Sequence, residues 1–63
     1  MPQYRCYFLD HRHYVVASRM ITCESDEAAS AIANDLLQEN DYPAVEVWAD
    51  HRQVYEKKKL API

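Results

Sequence analysis

The sequence predicts a two-layer α+β domain, one helix packed on a four-stranded antiparallel sheet, in the order ββαββ. Three observations carry this. Only residues 25–40 combine helical periodicity with a capping signal. The runs on either side alternate with period two and fall into two pairs around polar breaks. The whole chain has 63 residues, the length of one domain.

Residues 4–10 (YRCYFLD) form the first expected strand, with Tyr4, Cys6 and Phe8 on one face and Arg5, Tyr7 and Leu9 on the other. The first set is more uniformly apolar and is assigned to the helix side. Asp10, His11, Arg12 and His13 make a polar hairpin loop. Residues 14–23 form the second strand, with a bulge expected at Ser18 and Arg19 and with Ile21 and Cys23 pointing inward.

Ser25 opens the helix, because its hydroxyl can accept from a free N–H of the first turn. Asp26 and Glu27 place negative charge at the positive end of the helix dipole. Ala28, Ala29, Ile32, Ala33, Leu36 and Leu37 fall on one half of the wheel, and the alanines imply a close approach to the sheet. Asn40 is expected to end the helix in a left-handed conformation, since the chain has no glycine, and Pro43 forbids continuation.

Residues 44–49 (AVEVWA) alternate most cleanly: Val45, Val47 and Ala49 share the helix side, Glu46 and Trp48 the other. After a turn at residues 50–52, residues 53–57 make the fourth strand with Val54 inward and Tyr55 outward. The domain is expected to span residues 1–57, with 58–63 as a tail. Two antiparallel hairpins joined by a right-handed crossover give the strand order 2-1-3-4, wholly antiparallel.

A single helix covers one face of such a sheet. The uncovered face would carry Tyr7, Leu9, Trp48 and Tyr55, with Arg5 and Glu46 among them. Aromatic surface of that size on a face that is usually polar marks an interaction site. Those four residues are the expected contacts of a homodimer, formed through this face or an adjoining strand edge. A domain this short buries only about 60% of its unfolded surface, so a second copy would add stability.

Composition narrows the function classes. A chain without glycine has no Gly-rich phosphate loop. The net charge of −3 opposes a general nucleic-acid binder. The remaining nucleic-acid reading is a small regulator that stacks bases on the open-face aromatics, helped by Arg5 and Lys57, Lys58 and Lys59. No apolar run is long enough to span a bilayer, and the N-terminal residues read directly into a strand pattern. The expectation is a cytoplasmic protein with Cys6 and Cys23 reduced.

No catalytic, cofactor or metal residues are expected. His11 and His13 have the one metal-like spacing but read as solvated loop histidines. His51 would sit at the other end of the sheet, about 20 Å away for strands of this length. Cys6 is expected to face a residue near Ala17 rather than Cys23, which leaves both thiols free. Cys23 precedes the helix, but no His or Asn completes a nucleophilic set. No paired carboxylates lie in an apolar setting, so the chain reads as a non-catalytic interaction or accessory module.

Met1-Pro2-Gln3-Tyr4, Ser25-Asp26-Glu27-Ala28 and Val45-Glu46-Val47-Trp48 carry a resemblance. The chain resembles short uncharacterised proteins of soil and plant-associated bacteria that begin with an MP-x-Y strand. Those proteins continue with a hairpin, an SDEEA-type helix start and a VEVW-type strand. The resemblance implies the ββαββ order and carries no site residue. This chain differs in having no glycine in its turns and Ala28 where a second Glu is common.

Overall fold

The computed structural model describes residues 2–59. Strands β1 (Gln3–Leu9) and β2 (Val15–Thr22) form the first hairpin. Helix α1 (Asp26–Glu39) returns the chain to β3 (Ala44–Ala49) and β4 (Arg52–Lys58). All pairings are antiparallel and the sheet order is β2-β1-β3-β4, as expected. β4 runs through Lys58, and Lys59 is held by its N–H on the Pro43 carbonyl at 2.8 Å. Of the expected tail, residues 60–63 lie outside the described residues.

The core lies between α1 and one face of the sheet. Tyr4, Cys6 and Phe8 from β1, Ile21 from β2, and Val45 and Val47 from β3 pack with Ala29, Ala33 and Leu37 of the helix. The buried alanines let the helix backbone approach the strands. Tyr42, in the loop before β3, stacks on Phe8 with ring centroids 4.9 Å apart. The buried line of the helix runs through Ala29, Ala33 and Leu37, with Ser30 and Asn34 half-buried beside it and Ile32, expected on the same face, 37% exposed.

The N-terminus of the helix is tied to the sheet. Ser25 caps the helix, its hydroxyl accepting from the Ala28 N–H at 3.2 Å. Asp26 is then clamped between two groups from the sheet. The Tyr4 hydroxyl donates to Asp26 Oδ1 at 2.7 Å, and Arg52 donates to Oδ2 at 2.9 Å. The Arg52 hydrogen bond, seconded by Tyr4, holds the Asp26 carboxyl below the ordinary carboxylate range. The Tyr4–Asp26 hydrogen bond, with burial adding, raises the Tyr4 phenol, and Arg52 opposes. At the other end the left-handed expectation for Asn40 is corrected. Its backbone is extended (φ −117°), and its side-chain amide and its N–H both donate to the Leu36 carbonyl, at 2.8 and 3.1 Å. An amide side chain thereby does what a left-handed backbone would have done.

Two register shifts differ from the sequence reading. The first lies at Val16, not at Ser18 and Arg19: Phe8 pairs with Ala17 and Leu9 with Val15. Cys6 therefore faces Arg19 rather than Ala17. Both cysteines are free and buried. Burial pushes the Cys6 thiol up to about 11, with Cys23 adding and Arg19 opposing. The second shift lies at Val54. A regular hairpin with Ala49 opposite Arg52 would put Tyr55 opposite Glu46, on the open face. The extra residue instead pairs Tyr55 with Val47 and Glu56 with Glu46. Tyr55 is thereby corrected to the helix side, where it packs against the core.

A candidate functional site on the open sheet face

Directly paired residues of neighbouring strands project to the same side. The face opposite α1 can therefore be read as ranks running across the sheet. One rank is Met20, Arg5, Trp48 and Gln53, from β2 to β4. The next is Ser18, Tyr7, Glu46 and Glu56, and the last is Val15, Leu9, Ala44 and Lys58. Arg5, Tyr7, Met20 and Trp48 line a shallow groove of about 460 Å³.

Three of the four expected interface residues, Tyr7, Leu9 and Trp48, lie on this face; Tyr55 does not. Leu9 requires a second correction, because it is only 2% exposed and offers no surface to a partner. The β1–β2 loop follows Leu9 directly in the chain. Asp10 organises that loop: its carboxylate accepts the N–H groups of Arg12 and Tyr14 at 2.9 and 3.0 Å, and its carbonyl accepts that of His13 at 3.0 Å. His13 takes a left-handed conformation (φ 71°) in that loop. Its Nε2 comes to 3.5 Å from Glu46 Oε2.

Glu46 is the hub of the face. Its other oxygen, Oε1, accepts from the Trp48 indole N–H at 3.1 Å. Its side chain is 16% exposed, against 58% for His13. Glu56 stands directly opposite on β4, and one ligating atom from each of His13, Glu46 and Glu56 lies within 4.8 Å of the others. Two carboxylates in directly opposed positions repel unless a cation lies between them. Among the described residues Arg52 with Asp26 is the ion pair made by an arginine or lysine, so neither Glu46 nor Glu56 has such a partner within 4.0 Å.

The sequence reading reached His13 but not its partners. Glu46 and Glu56 meet only through the extra residue at Val54, and the approach of His13 depends on a left-handed residue in a loop without glycine. His51 sits in the β3–β4 turn, at the Arg5–Trp48 end of the sheet, away from the His13 loop as expected.

The remaining exposed apolar surface is concentrated on β2 and its approach. Tyr14, Val15, Val16 and Met20 are each more than half exposed. β2 is an outer strand with one unpaired edge. No helix among the described residues is long and apolar enough to cross a membrane. Comparisons of the chain with protein-family models, with curated proteins and with solved structures gave no match.

Proposed function

We propose that the chain is a non-catalytic interaction or accessory module that self-associates through the β2 edge and the adjoining part of the open face. The observation that carries this is the clustering of exposed Tyr14, Val15, Val16 and Met20 along one outer strand. Edge strands usually protect themselves with lysines, prolines or short length. β2 has eight residues, no proline and one charge, Arg19. An antiparallel pairing of β2 with β2 of a second copy is self-complementary about a two-fold axis. It would join the two sheets edge to edge, with Met20 of each copy at the seam and Tyr7 and Trp48 one and two strands further in.

The setting of this reading is cytoplasmic, and two buried free thiols suit a reducing compartment. The alternative of a nucleic-acid regulator has the Arg5–Trp48 groove in its favour. Glu46 and Glu56 oppose it, because they hold the middle of the face along which a phosphate backbone would run.

Sedimentation velocity across the micromolar range tests the proposal. The expected result is a species of twice the 7.4 kDa chain mass. Val16→Lys combined with Met20→Lys should return it to a monomer without changing the far-ultraviolet spectrum. A wild-type chain that stays monomeric throughout would end the proposal.

A further inference from the structure

We propose that His13, Glu46 and Glu56 form a binding site for one divalent first-row transition-metal ion of the zinc class. The donor set is one imidazole nitrogen and two carboxylate oxygens, the kind that holds Zn²⁺ and its neighbours in preference to Mg²⁺ or Ca²⁺. The ligating atoms already lie within 4.8 Å of one another. Bonds of about 2.0–2.2 Å to a shared ion need donors about 3.0–3.5 Å apart. His13 Nε2 and Glu46 Oε2, at 3.5 Å, meet that requirement as they stand. Glu56 is exposed and reaches it by a side-chain rotation.

The surroundings are those of a prepared site. The Trp48 indole N–H occupies Glu46 Oε1 and leaves Oε2 turned towards His13. Orientation of a liganding carboxylate by such a neighbour is a regular feature of metal sites. Asp10 fixes the loop that presents His13 through three backbone hydrogen bonds. The opposed pair of carboxylates is the second sign. It disfavours the empty sheet and is relieved by a bound dication. Three protein ligands leave at least one coordination position to water. The inference does not depend on self-association, since all three ligands come from one chain.

The test is titration of the full-length chain with Co²⁺, followed by quenching of Trp48, the only tryptophan, and by calorimetry with Zn²⁺. One ion per chain should bind saturably at micromolar metal, with Zn²⁺ displacing Co²⁺ and Mg²⁺ failing to. His13→Gln and Glu56→Gln should each weaken binding about tenfold or more, and His11→Gln should leave it unchanged. Glu56→Gln should also raise the melting temperature of the metal-free chain, because it removes the repulsion. A merely structural role for Glu56 would not move affinity and metal-free stability in opposite directions. Failure to saturate by millimolar metal would overturn the proposal. So would binding lost with His11→Gln but retained with Glu56→Gln, which would mean loop histidines chelating alone.

Discussion

Replacing Leu9 by Ala tests the account of the open face most directly. Leu9 lies on the side that α1 does not cover, where a leucine would ordinarily be wet and its truncation would change stability by no more than about 0.5 kcal/mol. Here it is 2% exposed, at the end of β1 next to the loop that carries His13. Truncating a fully buried leucine costs about 2–5 kcal/mol, less where neighbours can settle into the space. Leu9 ends its strand at the edge of the fold, where neighbours can settle, so about 2–3 kcal/mol is expected. A chain of 63 residues has a total stability of about 3–9 kcal/mol at the usual value per residue. Leu9→Ala should therefore remove a large part of it. Urea unfolding, followed by circular dichroism and by Trp48 fluorescence at one fixed protein concentration, gives the difference. Leu37→Ala, on the helix side and fully buried, supplies the comparison and should cost at least as much. A loss below about 1 kcal/mol for Leu9→Ala would refute the idea that this end of the face is sealed from water.

Ser25→Ala removes the hydroxyl that accepts the Ala28 N–H and should cost about 1 kcal/mol in the same urea experiment. The Asp26 carboxyl is held low by Arg52 and Tyr4, so its contribution is present above the unfolded value of about 3.9 and is lost as pH falls through the lower folded value. Melting temperatures measured down the acid limb should fall less steeply in Asp26→Asn than in wild type. Equal slopes would show that the clamp carries no linkage. Cys6 and Cys23 should resist iodoacetamide in the native protein at mildly alkaline pH and react readily in urea, as mass spectrometry would show. Rapid native labelling of Cys6 would contradict its burial.

The sequence by itself determined the order of the elements, the start of the helix at Ser25, and the faces of β1 and β3. These depend on short-range causes: a hydroxyl three residues from a free N–H, alternation along an extended chain, and a proline that stops a helix. The two antiparallel hairpins and the right-handed connection then left one sheet order, and Trp48 fell on the uncovered side as its alternation requires. Tertiary structure decided where the two extra residues entered the ladders. A bulge inverts the facing of every residue beyond it, so Val54 carried Tyr55 under the helix and set Glu56 against Glu46. It also decided the clamp on Asp26 by two residues distant in the chain, Tyr4 and Arg52. The approach of His13 to Glu46 belongs with these. Such features depend on which strands lie side by side, and neither periodicity nor propensity within one segment contains that information.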